Sequence, residues 1–369
     1  MDQPPLTPLV AGLPATVPFI GPETQERASG RAFVARLGAN ESAFGPSPRA
    51  IAAMHLAANE VWMYGDPEGF DLRADIAANH GIPRAHVVLG EGIDGLLGTL
   101  VRMLIAPGDA VVTSAGAYPT FNYHVTGYGG ALHSVPYRAD HADPDALAAK
   151  AHEVGARLVY LANPDNPMGS WHSGARIATL LDALPEKCLL VLDEAYIEFA
   201  PGGTSPHVAA DDMRLVRMRT FSKAYGLAGL RIGYALGAAP LISAFDRVRA
   251  HFGVGRLAQA AARAALADQD YLASVVRRTE AARVRIADIG AASGLQALAS
   301  ATNFVTLDCG GDGALARRCV SELAARDVFV RMPGIAPLDR CIRISAAPPP
   351  MLDLLQDRLA EAVHAAKSS

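Results

Sequence analysis

Lys223 lies in the run TFSKAYGLAGLRIGY (220–234), with hydroxyls before it at Thr220 and Ser222 and Arg231 eight residues on. Its neighbours GLAGL and IGY are apolar, so this lysine is not expected on a wet face, where an isolated Ser-Lys pair would mean only a solvated charge. A lysine that condenses with an aldehyde must present an unprotonated amine, which a short constrained loop beside other positive groups favours. Arg231 can grip a phosphate dianion with two N–H groups, while Thr220 and Ser222 each add a hydrogen bond. An amine nucleophile next to an anion cup reads as a site for pyridoxal 5'-phosphate, an aldehyde that carries its own phosphate.

Such a cofactor needs an acid for its ring nitrogen, donors to its ring oxygen and a phosphate cup, all of which lie upstream. CLLVLDEAYIEF (188–199) reads as a buried parallel strand that opens at Asp193 and Tyr196. Ligands collect at that end of doubly wound sheets, where Asp193 would keep the pyridine nitrogen protonated and Tyr196 would donate to the ring oxygen. The structural alternative is that Asp193 only caps the next helix. RLVYLANPDNPMG (157–169) repeats the pattern, and its two prolines stiffen the loop so that Asn166 is aimed with little entropy lost. VVLGEGIDGLLGTLVRML (87–104) is a strand, a glycine turn and an amphipathic helix, whose first amides, at Gly92 and Ile93, suit a phosphate. It lacks the third glycine and the acid of a dinucleotide site, which excludes an NAD reading. In SAGAYPTFNYHV (114–125), Phe121 is the expected stacking aromatic, with plain core as its alternative.

These segments together resemble the aspartate aminotransferase superfamily of fold-type I pyridoxal-phosphate enzymes. ANES (39–42), YGDPEGFDLR (64–73), VGRLAQAAARAAL (254–266) and RCIRIS (340–345) narrow the likeness to the histidinol-phosphate aminotransferase branch, from about residue 15 to the C-terminus. The resemblance implies that Lys223 binds the cofactor and moves the proton, with Asp193 and Tyr196 as its catalytic partners. It implies a cofactor shell of Gly92, Ile93, Phe121, Asn166, Thr220, Ser222 and Arg231, with Tyr64 reaching the phosphate of a neighbouring subunit in a homodimer with shared active sites. For the substrate it implies Arg343 as the anchor of an acidic group, with Phe19, Asn40 and Arg331 around it. Three positions depart from the branch: Phe19 replaces a tyrosine that holds a substrate phosphate, Met168 replaces a threonine, and Y-G-D-P replaces Y-P-D-P.

The 369 residues, half of them hydrophobic, exceed one ordinary domain and can bury a large core. A net charge of −4 offers no basic stripe for nucleic acid. Cys188, Cys309, Cys319 and Cys341 have no metal-ligand spacing, so reduced thiols in a cytoplasmic protein are expected, without metal. No apolar run is long enough for a membrane span, and the proline-rich opening lacks the pattern of a signal peptide, reading instead as an extended arm.

The order of elements predicts an α/β fold: a large domain with a mainly parallel sheet flanked by helices, aspartate aminotransferase-like, plus a small α+β domain. Residues 1–45 are assigned to the arm and part of the small domain, 46–265 to the large cofactor-binding domain and 266–369 to the small domain. Helices are expected at 47–59, entered through Ser47-Pro48, at 69–80, at 241–252 and over 268–294, the last with alanines packed and arginines wet. Strands near 303–307, 328–331 and 341–345 and a closing helix from 350 complete the chain. The expected activity is reversible amino transfer between an amino donor, glutamate for the branch it resembles, and a 2-oxo acid or imidazole-acetol phosphate. The rivals are an aromatic amino acid aminotransferase, a decarboxylase of a phosphorylated amino acid and a non-catalytic cofactor-binding regulator. The last lacks room for a DNA-binding segment before residue 15.

Overall fold

The computed structural model describes residues 4–14 and 19–368. After the short β1 (Ala35–Arg36) come β2 (Val87–Gly90), β3 (Ala110–Ser114), β4 (Ala131–Val135), β5 (Leu158–Ala162), β6 (Leu189–Asp193), β7 (Leu215–Thr220) and β8 (Gly233–Gly237). The last seven form one sheet in the order β2-β8-β7-β6-β5-β3-β4. Strands β3 to β7 pair in parallel, as expected, whereas β8 runs antiparallel to both β2 and β7.

Alternation along the strands fills both faces of this sheet. Val111, Leu158, Tyr160, Leu189 and Val191 pack with Ile93, Leu96, Leu97 and Leu100 of the Gly92–Leu104 helix. Their neighbours Val112, Val159, Leu161, Leu190 and Leu192 face the helices Pro144–Val154 and Gly174–Ala183 on the other side. These helices begin at side-chain caps: Asp143 accepts the N–H groups of Asp145 (3.0 Å) and Ala146 (3.2 Å), and Ser173 that of Arg176 (3.3 Å). The Pro48–Ala57 helix starts at Ser47 as expected, and Phe70–His80 follows. Both pack with alanines 258, 261, 262 and 265 of the Arg256–Leu266 helix.

A second core joins Ala35 and Leu37 to the C-terminal third of the chain. There β9 (Gln296–Ala297), β10 (Phe304–Asp308) and β12 (Cys341–Ser345) form an antiparallel sheet, and β11 (Val328–Phe329) pairs in parallel with β1. The closing helix runs Pro349–Ser368.

Two expected helices differ in detail. The one expected over 241–252 ends after Ala239–Ala244 and a single tight turn at Phe245–Arg247. Further on, Gly253 lies against the Glu91 side chain, which an added Cβ would force to shift. The Gln269–Ala292 helix buries Val275, Thr279, Ala282, Ile286, Ile289 and Gly290, so β-branched residues rather than alanines fill most of its packed face. The proline-rich opening carries a one-turn helix at Pro8–Ala11; residues 1–3 and 15–18, part of the expected arm, lie outside the described residues. Among the described residues no helix is long and apolar enough to cross a membrane, and no His, Cys, Asp or Glu cluster is arranged to hold a metal. All four cysteines are buried and free.

Candidate active site

A cavity of about 310 Å³ opens at the carboxyl ends of β5, β6 and β7 and is closed by residues of the second core. It is lined by Lys223, Asp193, Tyr196, Asn166, Thr220, Ser222, Ile93 and Arg231, and also by Phe19, Asn40, Arg331 and Arg343. Residues far apart in the chain thus converge because parallel strands deliver their loops to one edge.

Lys223 sits three residues beyond β7 in a turn closed by the Gly226 N–H to the Lys223 carbonyl (3.1 Å). Gly226 has φ 70° and lies so close to the Gly45 backbone that a Cβ would not fit. The amine donates to the Asn40 carbonyl (3.1 Å). Burial, then the charge of Arg343, pushes its pKa down to about 8; Arg231 adds a smaller push in the same direction, while Asp94 and Glu41 oppose it. Neighbouring cations do lower this lysine, as its sequence suggested, but burial is the larger cause and Arg343 outweighs Arg231.

Asp193, the last residue of β6, accepts the Tyr160 hydroxyl (2.8 Å) and the Ala195 N–H (2.9 Å). It caps no helix: the turn Ile197–Phe199 that follows has no side-chain cap. Burial raises its pKa to about 6, against the lowering effect of those two hydrogen bonds. A buried carboxylate of this kind holds tightly to a proton shared with a basic ring nitrogen. The Tyr196 oxygen accepts from the side-chain amides of Asn40 (3.0 Å) and Asn166 (3.4 Å), which leaves its own proton free to point elsewhere. Burial pushes this phenol up to about 12, so it stays a donor.

The anion cup is also assembled. Ser222 accepts from the Thr220 hydroxyl (2.8 Å) and from Arg231 Nη1 (3.3 Å), and its own N–H donates to Thr220 Oγ1 (3.0 Å). Arg231 adopts a left-handed backbone (φ 49°) and reaches the Glu91 carbonyl (3.3 Å) at the start of the Gly92–Leu104 helix. That helix has no side-chain cap. At Gly92 (φ 75°), an added Cβ would strike the Arg231 guanidinium. The left-handed backbone favours glycine where the guanidinium and the positive end of the helix meet, and a side chain there would make the guanidinium shift.

Phe121 is corrected by the structure. It is fully buried in the core, stacked on Tyr160 (4.6 Å, 15°), and does not line the cavity. It falls inside the Thr120–Gly127 helix on the face turned to the sheet, whereas Tyr118, just ahead of that helix, lines the cavity. Tyr118 reaches Asp94 (3.4 Å) and lies 6.0 Å from the Phe19 ring. Tyr64 is 76% exposed, packs on Phe252 (4.6 Å) and is not among the residues around this cavity. Tyr118, Tyr160 and Asp94 escaped the sequence reading. Tyr160 shares the alternating face of β5 with Leu158 and Ala162, a signal indistinguishable from core.

At the opposite end Arg343, on β12, bonds the Asn166 side-chain oxygen and the Gly38 carbonyl (3.3 Å). Arg331 donates to the Ile20 carbonyl (2.9 Å) and lies over the rings of Phe19 and Phe329, each 5.5 Å away. Among the described residues, the Nε of each arginine is buried without a partner. Two half-buried cations with unused donors suit an anionic ligand. The donor set fits pyridoxal phosphate: an amine of lowered pKa, an acid facing a ring nitrogen, amide and phenol donors, and a cup of hydroxyls, guanidinium and helix amides.

Residues 34–359 match the family model for aminotransferase class I and II. This chain belongs to that family. It is 35% identical over 350 residues to a histidinol-phosphate aminotransferase of Carboxydothermus hydrogenoformans, covering 93% of each chain. It is 38% identical over 284 residues to one of Mesorhizobium japonicum, covering 75% of this chain and 77% of that one. Among solved structures it is similar to the histidinol-phosphate aminotransferase of Sinorhizobium meliloti in complex with pyridoxal-5'-phosphate, at 51% identity, TM-score 0.96 and 99% coverage of both chains. A Thermus thermophilus aspartate aminotransferase variant (TM-score 0.78, 21% identity, 91% of this chain and 98% of that one) shares the fold.

Proposed function

We propose that this family member is a pyridoxal-phosphate-dependent histidinol-phosphate aminotransferase, with glutamate and 2-oxoglutarate as the other pair. The observation that carries the reading is the buried Lys223 amine, lowered to about 8, in one cavity with Asp193, Tyr196 and the Arg231 cup. When bound, the cofactor supplies an electron sink and takes up the amino group. Lys223 Nζ would take the proton from the amine-bearing carbon of the substrate and deliver it to C4′ of the cofactor, the second half-reaction running the same transfer backwards. Asp193 keeps the proton on the ring nitrogen, Tyr196 and Asn166 donate to the ring oxygen, and Tyr118 covers the ring face. Thr220, Ser222, Arg231 and the amides of Gly92 and Ile93 hold the phosphate. Arg343 and Arg331, with Asn40 beside them, take the acidic group of the substrate.

One observation favours aromatic 2-oxo acids as a second substrate class: Phe19 and Tyr118 form an aromatic wall 6.0 Å apart, where a tyrosine at position 19 would offer a hydroxyl to phosphate. Exposed Leu56, Val61, Trp62 and Tyr64 beside Phe252 give an apolar surface that suits a homodimer, in which Tyr64 serves the partner's site. We also place the large-domain boundaries at 46 and 265, and the protein in the cytoplasm.

Adding L-glutamate to the holoenzyme should bleach a band near ~420 nm and raise one near ~330 nm. Histidinol phosphate should then exceed phenylalanine, tyrosine and aspartate by about two orders of magnitude in kcat/KM, roughly 3 kcal/mol. Carbon dioxide release from a phosphorylated amino acid without keto-acid consumption would instead identify a decarboxylase.

A further inference from the structure

One small device occurs twice, near the ends of adjacent strands. At the end of β6, Asp193 binds the Tyr160 hydroxyl (2.8 Å) and the Ala195 N–H (2.9 Å). Three residues beyond β5, Asp165 binds the Tyr137 hydroxyl (2.7 Å) and the Met168 N–H (2.9 Å). Both carboxylates are buried, but only Asp193 lines the cavity. Asp165 is turned away from it, and the charged groups facing it, His141 and Arg343, act on it through space.

Asp165 precedes Asn166 in the NPDNPMG loop. The loop closes through the Asp165 N–H to the Ser170 carbonyl (2.8 Å) and the Gly169 N–H to the Asp165 carbonyl (3.2 Å). From the second core, the Thr306 hydroxyl donates to the Pro167 carbonyl (2.7 Å) and the Ala301 N–H to the Gly169 carbonyl (2.9 Å). The carboxylate of Asp165 thus ties the inner side of the turn, while Tyr137 ties the turn to the segment after β4. With its backbone held on both sides, Asn166 presents its amide nitrogen 3.4 Å from the Tyr196 oxygen and its amide oxygen to Arg343.

We propose that Tyr137 and Asp165 form a positioning pair that aims the Asn166 amide N–H at the ring oxygen of the bound cofactor. The inference rests on the cofactor reading above. Stability alone gives little reason for this carboxylate, because burial raises its pKa to about 6. The fold therefore loses stability as the group ionises between pH about 4 and about 6. Replacing a buried charge by a neutral group of the same shape is often neutral or stabilising.

The test compares wild-type holoenzyme with Asp165→Asn and Tyr137→Phe. Tyr137 and the Met168 N–H donate to different oxygens of Asp165, and an asparagine puts an NH2 donor in place of one of them, so the two contacts cannot both be kept as they stand. With Asn166 misaimed, the ring oxygen loses a donor and keeps a firmer hold on the proton it shares with the lysine nitrogen. The ~420 nm band should then persist to higher pH in both variants, its midpoint displaced upward by about half a unit or more. The melting temperature of Asp165→Asn should stay level or rise. Midpoints unchanged from wild type overturn the proposal, and a fall in melting temperature with an unchanged midpoint makes the pair purely structural. Failure of the cofactor reading looks different, because wild type would then show no band to titrate. If Asp165→Asn does not fold, the milder Tyr137→Phe decides alone.

Discussion

The two ends of the cavity are built on different plans. The cofactor end is made of consecutive strand ends, with Asp193 terminating β6, Thr220 terminating β7 and Lys223 three residues later. The substrate end draws on Phe19, Asn40, Arg331 and Arg343, brought together by the packing of the second core against the first. The first plan holds the reacting groups on rigid elements, and the second lets binding preference vary without disturbing them. The ends meet where Arg343 bonds Asn166 and depresses the Lys223 amine, and where Asn40 donates to the Tyr196 oxygen and accepts from the Lys223 amine.

Lys223→Ala should have the largest effect, lowering kcat by at least ~10³-fold, with borohydride no longer fixing the cofactor to the chain. Asp193→Asn comes next, with a loss of about 10²–10³-fold in kcat and little change in KM, measured by steady-state kinetics. Arg343→Met should reduce kcat/KM for acid-bearing substrates by roughly 2–4 kcal/mol, far more than for neutral amines. Equal losses for all substrates would break the division between the ends. Phe19→Tyr should sharpen it mildly, improving histidinol phosphate over phenylalanine by about 3–10-fold, the worth of one added hydrogen bond.

The smallest effect is on stability. The folded-state pKa of Lys223 is depressed from 10.5 to about 8, so its contribution is present above 10.5 and lost as pH falls through about 8. Apo wild type should therefore gain stability relative to apo Lys223→Met as pH rises from about 8 to about 10, measured by urea unfolding. A flat difference would mean that the amine is not desolvated.

These plans also explain what could be read in the sequence. Asp193, Tyr196 and Asn166 were legible because each lies at or just beyond the end of a strand whose apolar run announces it, and Lys223, Thr220 and Ser222 because hydroxyls, an apolar glycine-rich flank and Arg231 surround the lysine. Phe121 misled because three aromatics, Tyr118, Phe121 and Tyr123, follow β3 in close succession, and a helix starting at Thr120 decides which of them is buried. Tyr160 was hidden inside a strand pattern that any core residue would satisfy. Arg331 came through family likeness, and Arg343 through that likeness and the alternation of C-I-R-I-S, since no local pattern links a β12 arginine to Phe19. The direction of β8 was not legible either. Residues 221–232, which join it to β7, are about as long as the shortest parallel crossover, yet they carry the lysine loop instead of a helix.

The glycine at position 92 has a consequence for how this protein can vary. A methyl group there would be strained at φ 75° and would make the tip of the Arg231 guanidinium shift within the anion seat. Such a change should weaken the hold on the coenzyme more than it disturbs the core. A screen scoring only soluble expression would pass it, whereas one supplemented with graded vitamin B6 would expose the defect.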